Sequence, residues 1–559
     1  MTAISYIESV KSLPLNLANI QMETFCGISN FFRDADDICS IKCDDATDNV
    51  SKEEYGDWQT SMELALSVCR LLKEQGINPH VIVEPTCGKG HFILAALQTF
   101  DSIEDIYGIE IYEPYLEQLK VSILQYYLDN PNANKVKINL FHQNVFDFNF
   151  NSIKKCLKGR NVLVIGNPPW VTNSKLGIIQ SGNLPVKSNF KKVKGLNAIT
   201  GKGNFDIAEY ICSQMIDFLE GECATLALLV KTSVIKNIVY EQKNSRYPIT
   251  SITQYNIDAK KEFGVSVAAA LLYAEIGNKA NRQCIVRDFY SLKCLQEYGW
   301  VGNSFVSDII SYAKYHYMDG KSPLIWWSGV KHDCSKVMEL TLIDGKYVNG
   351  LGQIVNIESD LVYPLVKSSD IKEDQISNTR KYVIVTQKST NEDTGWIRQS
   401  CPLAYDYLNK HAEYLDKRGS SIYKNRPRFC LFGIGDYSFK KYKVVVSGLY
   451  KKPHFSLVGE IDSKPVMLDD TCYLLGFDNY EEARVVQSIL NSNPVQLFIQ
   501  SLLFVDAKRV INKDLLMRID FMRILEYAQN ENLNVDKSDL EKFLLFLKKN
   551  SNPTQFELF

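Results

Sequence analysis

One short turn, Asn167-Pro168-Pro169-Trp170, combines residue types that can hold a planar amine. The amide oxygen of Asn167 and the carbonyl of Pro168 can accept the two hydrogens of an exocyclic amine, while the following proline stiffens the turn. Acceptors that are oriented before the reaction contribute most to electrostatic catalysis. Trp170 offers a flat face on which a nucleobase could stack. The turn therefore predicts chemistry at a nucleobase amine, and the alternative is an ordinary strand-ending turn with a core tryptophan.

A glycine-rich segment upstream, VIVEPTCGKGHFILAAL at 81–97, predicts a strand, a tight turn and a helix. Gly88 and Gly90 allow a ligand to approach the backbone closely. The spacing differs from the dinucleotide fingerprint and lacks the lysine and hydroxyl of a phosphate loop. A second predicted strand, 105–114, carries Glu110 twenty residues after Gly90, where a carboxylate can bind two ribose hydroxyls. These features predict a site for a nucleoside without phosphates.

The chain resembles the adenine-specific DNA methyltransferases, in which a cofactor motif comes first, NPP(Y/F/W) second and a target-recognition region last. The segment EPTCGKGHF at 84–92 stands where that family has DPxCGxGxF, with Glu84 in place of Asp. The resemblance implies S-adenosylmethionine as the cofactor and direct transfer of its methyl group to N6 of an adenine flipped out of the duplex. It further implies double-stranded DNA as the partner and a restriction endonuclease encoded separately, and it leaves the oligomeric state open.

The same resemblance assigns roles to individual residues. Thr60 stands where the family has a threonine that contacts the methionine end of the cofactor, and Asn144 stands at the position that faces the cofactor adenine. Phe263 is a candidate second wall, opposite Trp170, for the flipped base. The implied catalytic residues are Asn167, Pro168, Pro169 and Trp170, and the implied cofactor-binding residues are Thr60, Glu84, Thr86, Cys87, Gly88, Gly90, Glu110, Asn144 and Asn167.

A basic segment in the second half of the chain, 410–454, is the predicted DNA contact. It holds eleven Lys or Arg and three acidic residues, a net charge of +8, whereas the whole chain has a formal net charge of −2. Aromatic residues alternate with these charges, as phosphate contact and groove reading require, and the alternative is a solvated face. Strand alternation predicts Lys441 on the face opposite to Lys440 and Lys443. The DNA-binding residues predicted here are Lys424, Arg426, Arg428, Lys440 and Lys443.

The pattern of elements predicts an α/β fold in two parts. Alternating strands and helices predict a doubly wound, Rossmann-like domain of the class I methyltransferase type, and the resemblance makes the following mixed α+β region a target-recognition domain. The carboxyl-terminal segment KSDLEKFLLFLKK predicts an amphipathic helix that is docked or oligomeric. The predicted divisions are an N-terminal arm at 1–50, a catalytic domain at 51–285, a helical connector at 286–317, a recognition domain at 318–525 and a helical segment at 526–559.

Length and composition fit an enzyme of the reduced cytosol. A chain of 559 residues with 45% hydrophobic residues suits two or three domains with full cores. The fourteen cysteines include one close pair, Cys39 and Cys43, with no second pair at zinc-ligand spacing, so no metal is expected. No apolar run is long enough for a membrane span, and the first residues do not resemble a signal peptide.

Three other functions stay open on the sequence. Cytosine N4 presents the same hydrogen-bonding geometry as adenine N6, although Asn rather than Ser at position 167 favours adenine. Glutamine or RNA methylation uses similar tetrapeptides, but a recognition region of about two hundred residues exceeds what a short peptide loop needs. The third is a DNA-binding subunit that keeps the fold without catalysis, which the presence of Gly88, Gly90, Glu110 and Asn167 disfavours.

Overall fold

The computed structural model describes residues 1–34, 59–171, 206–277, 279–505, 509–527, 533 and 535–550. These residues divide into two compact units, Met1–Phe305 and Val306–Phe559. The close cysteine pair noted in the sequence, Cys39 and Cys43, lies outside the described residues.

One ten-stranded sheet forms the centre of the first unit. Its strands are β1 Val81–Glu84, β2 Asp105–Glu110, β3 Lys137–His142, β4 Val162–Gly166, β5 Ala224–Lys231, β6 Ile249–Ile257, β7 Ala269–Ile276, β8 Gln283–Asp288, β9 Cys294–Val301 and β10 Ser304–Val306. They lie in the order β10-β9-β8-β6-β7-β5-β4-β1-β2-β3. Strands β1 to β5 are parallel to one another, whereas β7 runs antiparallel to both β5 and β6.

This strand order creates a switch point where β1 lies between β2 and β4. Every residue of β1 and β4 is buried, as expected for parallel strands with both faces covered. Ligands in open α/β sheets bind outside the carboxyl ends of the strands at such a point. The glycine-rich turn follows β1 and the NPPW turn follows β4, so both begin at this edge. The predicted doubly wound fold is confirmed.

Nine helices are described in the first unit: α1 Ala3–Val10, α2 Leu15–Cys26, α3 Met62–Glu74, α4 His91–Thr99, α5 Glu113–Asp129, α6 Asn151–Leu157, α7 Ile207–Phe218, α8 Thr232–Glu241 and α9 Ala259–Phe263. The first two pack against α5, where the Ala3 backbone N–H donates to Gln125 Oε1 at 2.8 Å. Ile28 also forms a parallel bridge with Ile138 of β3. The described part of the N-terminal arm therefore lies against the catalytic sheet, and 35–50 lies outside the described residues.

The predicted helical connector at 286–317 is wrong over most of its length. Strand β8 is parallel to β6 and β9 is antiparallel to β8, so both extend the first sheet beyond the predicted boundary at 285. Only α10, Ile309–Tyr315, and a short 3-10 turn after it are helical. The strands near this edge are held by backbone hydrogen bonds and are partly exposed, so they carry less apolar signal than central strands.

The described residues of the second unit form two sheets. Its strands are β11 Trp327–Ser328, β12 Glu339–Ile343, β13 Lys346–Asn349, β14 Ile354–Val355, β15 Val362–Val366, β16 Gln375–Ile376, β17 Lys381–Ile384, β18 Tyr442–Ser447, β19 Phe455–Val458, β20 Met467–Leu468 and β21 Cys472–Phe477. The strand orders are β11-β21-β18-β19-β16 and β14-β13-β12-β17-β15-β20. Each sheet carries its own buried cluster of apolar residues. The mixed α+β architecture predicted for this region is present.

The later helices of the second unit are α11 Ser335–Met338, α12 Ile397–Ser400, α13 Pro402–Lys410, α14 Ala412–Asp416, α15 Tyr480–Asn491, α16 Asn493–Leu502, α17 Lys513–Leu516, α18 Phe521–Tyr527 and α19 Lys537–Asn550. Helix α19 is the predicted amphipathic helix. Its Phe543 and Leu547 are buried, and Phe543 contacts Phe521 of α18 edge to face. The helix is therefore docked within its own unit. No helix among the described residues is long and apolar enough to cross a membrane.

Candidate functional site

The turn between β1 and α4 brings backbone into a pocket at the carboxyl edge of the first sheet. Gly88 has φ +49° and Gly90 has φ +76°, both in the left-handed region that favours glycine. A Cβ at Gly90 would lie 2.0 Å from a methyl carbon of Leu119 on α5, so a side chain here would have to displace the buried Leu119. The turn then continues directly into α4 at His91.

Two buried carboxylates border this turn. Glu110, at the end of β2, accepts the backbone N–H of Gly88 at 2.8 Å through Oε2 and that of Tyr112 at 2.8 Å through Oε1. Glu84, at the end of β1, is 2% exposed, and its Oε2 has no hydrogen-bond partner among the described residues. Burial raises the pKa of Glu84 well above its ordinary value, and the negative charge of Glu110 raises it further.

The pocket that these residues line fits a nucleoside cofactor. It is an open cleft of about 900 Å³, counting the space that faces solvent, and both carboxylates and the glycine turn border it. Thr86 Oγ1 is buried there without a hydrogen-bond partner among the described residues, as is Glu84 Oε2, and buried polar atoms of this kind are uncommon in folded proteins. Burial raises the pKa of the Cys87 thiol well above its ordinary value, which fits a small lining residue and not a nucleophile.

Several apolar and aromatic residues that line the pocket were not predicted from the sequence. They follow β2 and β3 or begin α7, and they are Ile111, Tyr112, Tyr115, Val145, Phe146, Ile207 and Ile211. Two of them could have been predicted from their position in the sequence. Ile111 and Tyr112 come directly after Glu110, at the carboxyl end of a parallel strand, where ligands bind in sheets of this type. Phe146 lies close to Asn144, whose Oδ1 accepts the Phe146 backbone N–H at 3.1 Å.

The NPPW turn meets the same pocket from β4. Asn167 and Pro169 line it, and Asn167 Nδ2 donates to Thr60 Oγ1 at 3.2 Å. The turn is anchored beyond this point, because Lys231 Nζ donates to the Trp170 carbonyl at 2.9 Å and to Asp206 Oδ2 at 2.6 Å. The two motifs singled out in the sequence therefore share one cavity. The cofactor-binding residues predicted from the resemblance all lie in or beside it; Gly90 does not line it but ends the turn.

Trp170 and Phe263 do not form two walls with a slot between them. Trp170 is 6% exposed, and its indole N–H donates to the Leu229 carbonyl at 3.1 Å. The Phe263 ring contacts Trp170 edge to face, with ring centroids 5.0 Å apart and an interplanar angle of 71°. A base could not lie between rings that already touch. The predicted sandwich is therefore absent from this structure, although the two side chains are neighbours as expected.

Two basic residues of the segment 410–454 pair with acids from elsewhere in the second unit, and others make contacts within it. Lys440 pairs with Asp478 and Lys441 lies 3.7 Å from Glu460. Within the segment, Arg428 pairs with Asp416 at 3.0 Å. Arg426 donates to Asn391 at 2.8 Å, outside the segment. The exposed basic side chains that make no ion pair or hydrogen bond among the described residues are Lys410, Lys424, Lys451 and Lys452.

Lys443 is the clearest error of the sequence prediction. It lies in β18 between β19 and β21, is 1% exposed, and donates through Nζ to the Lys440 carbonyl at 2.6 Å. Burial lowers the pKa of Lys443 to about 7. A side chain enclosed in this way cannot reach a phosphate, so the predicted DNA contact of Lys443 is wrong. Interleaved aromatics such as Phe429 and Phe455 are also core residues.

No group of three or more His, Cys, Asp or Glu side chains suited to a metal ion occurs in the part of the chain that the structure describes. The polar residues that line the pocket include its two carboxylates, Glu84 and Glu110, and the Asn167 amide.

Comparison with known proteins gives a close relative in sequence. No protein-family model matches the chain. The Type II methyltransferase M.NspV of Nostoc sp. is 41% identical over 476 residues, which are 84% of this chain and 97% of that protein. Among solved structures, the Type IIL restriction-modification enzyme MmeI in complex with DNA has a TM-score of 0.47 at 13% identity, covering 88% of this chain and 72% of that one. A class I S-adenosylmethionine-dependent methyltransferase from Listeria monocytogenes has a TM-score of 0.30 at 14% identity, covering 43% of this chain and 68% of that one.

Proposed function

This chain belongs to the type II methyltransferases, which act in restriction-modification systems, and from that premise we propose that it methylates N6 of adenine in double-stranded DNA. The methyl donor is S-adenosylmethionine, whose nucleoside fits the pocket bordered by Glu84 and Glu110. The observation that carries the proposal is that Asn167, the first residue of NPPW, lines the same pocket as those carboxylates. The cofactor and the amine acceptors are thereby brought to one place.

The residues of the chain bind and orient the reactants. Glu110 is held by two backbone N–H groups and is placed to bind the ribose hydroxyls, while Thr86 and Glu84 offer polar atoms to the rest of the cofactor. The bound cofactor supplies an electrophilic methyl group. The Asn167 amide oxygen and the Pro168 carbonyl accept the two hydrogens of the target amine and hold its nitrogen in line with that group. The proton leaves to solvent after transfer, with no covalent intermediate on the enzyme.

The target base is proposed to stack on Trp170 after it leaves the duplex. Stacking of this kind contributes roughly 1–3 kcal/mol per base. The indole is anchored by its hydrogen bond to the Leu229 carbonyl, so it can act as a fixed platform. Phe263 lies at the carboxyl end of the short helix α9, between Glu262 and Gly264, and its ring must turn away from Trp170 before it can contact the other face of the base.

Methylation of cytosine N4 is the second candidate, since its amine offers the same two hydrogens to Asn167 and Pro168. A catalytically silent DNA-binding subunit is the third. The chain would work with a separately encoded restriction endonuclease that cuts the same unmodified sequence. A direct measurement of DNA methylation distinguishes adenine methylation from cytosine methylation, and it distinguishes both from a catalytically silent subunit.

The experiment is long-read modification mapping of DNA from cells that express the protein, with an Asn167→Ala strain as the matched control. We expect N6-methyladenine in one short sequence context, absent from the control. N4-methylcytosine in one context would instead select the second candidate. Unmodified DNA from a strain whose purified protein binds S-adenosylmethionine would favour the silent subunit and contradict the proposal.

A further inference from the structure

Thr60 lies between the cofactor pocket and the catalytic amide. It is 6% exposed and lines the pocket, directly before the Ser61 side chain that caps helix α3. Its hydroxyl oxygen accepts the hydrogen bond from Asn167 Nδ2 at 3.2 Å. One side chain therefore contacts the cavity for the methyl donor and the residue that faces the methyl acceptor.

The backbone of Thr60 is attached to the element that follows the glycine turn. His91 Nδ1, at the start of α4, lies 2.6 Å from the Thr60 carbonyl oxygen. Because a carbonyl oxygen only accepts hydrogen bonds, Nδ1 of His91 carries the proton in this contact. The backbone of Thr60 is thus held between the start of α3 and the start of α4.

The orientation of the Asn167 amide decides whether the site can hold an amine. An amide presents an acceptor oxygen on one side and a donor nitrogen on the other. When Nδ2 faces Thr60, Oδ1 is the atom left to face the target amine. The reverse orientation would place N–H donors against the N–H donors of that amine. A hydroxyl can donate as well as accept, so its own proton must be directed elsewhere for this orientation to be enforced.

We propose that Thr60 is a positioning residue, which accepts from Asn167 Nδ2 and directs its own hydroxyl proton into the pocket for S-adenosylmethionine. This inference rests on the proposed function and deepens it. Once the hydroxyl proton is directed to the cofactor, the hydroxyl can no longer donate to Asn167 Oδ1. Cofactor binding then selects the amide orientation that the target amine requires, which couples the methyl-donor pocket to the methyl-acceptor site through one side chain.

The first test compares Thr60→Val, which keeps the shape and loses the hydroxyl, with Thr60→Ser, which keeps the hydroxyl. Single-turnover methyl transfer is measured at saturating S-adenosylmethionine on DNA that carries the mapped site. We expect the valine variant to be at least tenfold slower and the serine variant to stay within threefold of the parent. A residue that only binds cofactor would raise the KM for S-adenosylmethionine and leave the saturated rate unchanged, and that result would overturn the inference. An inactive parent protein would instead refute the proposed function.

The second test does not depend on activity. Thermal unfolding of the cofactor-free protein is measured for Thr60→Val, Asn167→Ala and the double variant. Since the two side chains share one hydrogen bond, the second substitution should lower Tm less in the background of the first than in the parent. Calorimetry with S-adenosylhomocysteine should also show several-fold weaker binding for Thr60→Val than for Thr60→Ser. Additive losses of Tm, or equal affinities of the two Thr60 variants, would contradict the proposed contacts.

Discussion

At the residue scale, Glu84 shows how the pocket is prepared for a ligand at some cost to the fold. Its carboxyl lies buried near that of Glu110, and one oxygen has no hydrogen-bond partner among the described residues. Burial without solvation opposes ionisation, and a neighbouring negative charge adds to that effect. Polar atoms of a bound cofactor at this position would reduce both the cost of burying the Glu84 carboxyl and the effect of the neighbouring Glu110 charge.

The first prediction concerns the pH dependence of stability. The pKa of Glu84 is higher in the folded protein than its ordinary value of 4.5, so the folded state binds more protons and the free energy of unfolding falls as pH rises above about 4.5. Glu84→Gln removes this decrease in the free energy of unfolding at higher pH, because the substituted side chain carries no charge. Without cofactor, we expect the variant to have a higher Tm than the parent at pH 8 and a similar Tm at pH 4, measured by scanning calorimetry.

The control for this prediction is Glu74→Gln, because Glu74 is an exposed residue at the end of α3. Its Tm should follow that of the parent at every pH. A Glu84→Gln variant with no gain in Tm between pH 4 and pH 8 would refute the raised pKa. The same variant should bind S-adenosylmethionine more weakly, since it has lost one acceptor of the pocket.

The second prediction separates chemistry from cofactor binding. Asn167→Ala should lower the methylation rate at least a hundredfold, about 2.7 kcal/mol at ~1.36 kcal/mol per decade, because it removes a preorganised acceptor for the target amine. The dissociation constant for S-adenosylmethionine should stay within about threefold, since Glu84, Glu110 and the glycine turn, which border the nucleoside pocket, are unchanged in the variant. Methyl transfer is measured with a labelled cofactor and binding by calorimetry. An active variant would remove Asn167 from the mechanism.

At the element scale, β18 explains why strand alternation misassigned Lys443. The strand lies between β19 and β21, and all of its residues after Tyr442 are buried. A central strand that is covered on both faces has no solvent side, so alternation cannot direct a charged residue to the surface. The Lys443 side chain donates a hydrogen bond to the Lys440 carbonyl oxygen, and it forms no ion pair with an acid among the described residues.

The third prediction follows from that burial. The folded-state pKa of Lys443 is about 7, below its ordinary value of 10.5, so its charge opposes folding below pH 7 and the opposition is lost as pH rises to about 10.5. Lys443→Met, which is similar in volume and uncharged, should therefore raise Tm at pH 6, with a gain that shrinks toward pH 10. Thermal unfolding across this range checks it. A loss of Tm at pH 6 would show that the hydrogen bond to Lys440 outweighs the cost of the buried charge.

At the scale of the whole molecule, DNA affinity must come from local surfaces because the chain as a whole is close to neutral, with a net charge of −2. Within 410–454, Lys440 pairs with an acid, Arg426 is hydrogen-bonded to Asn391 and Lys443 is buried, so these side chains are less available for phosphate contact. Lys424, Lys451 and Lys452 are exposed and make no ion pair among the described residues. They replace Lys440 and Lys443 as the best candidates for phosphate contact.

The fourth prediction tests those lysines together. Replacing Lys424, Lys451 and Lys452 with alanine should weaken DNA binding and flatten its salt dependence, by roughly 0.9 in the log–log slope for each lost phosphate contact. Cofactor affinity should not change. Lys443→Met is the control and should keep the parent slope, since that side chain is buried. DNA binding is measured by fluorescence anisotropy over a range of salt, and an unaltered slope in the triple variant would place recognition elsewhere in 318–525.

The sequence by itself determined the catalytic half of this protein to a large extent. The turn after β1 and the NPPW turn after β4 depend on local properties, namely glycines in the left-handed region and apolar strands that stop at polar residues. Parallel strands bring their carboxyl ends to one edge, so two such turns could be expected to meet without any knowledge of the side-chain packing. The amphipathic helix α19 was also predictable, because the helical spacing of its apolar residues is visible in its own sequence.

Tertiary structure alone decided burial and pairing. Asp478 and Glu460 neutralise Lys440 and Lys441 from more distant parts of the chain, and β18 encloses Lys443 between two other strands. The direct contact of Trp170 with Phe263 depends in the same way on elements far apart in sequence. Solvation and electrostatic screening depend on everything that packs around a group, whereas local conformation depends on its neighbours along the chain. The positions of the two motifs could therefore be derived from the sequence, but the charge that the second unit offers to DNA could not.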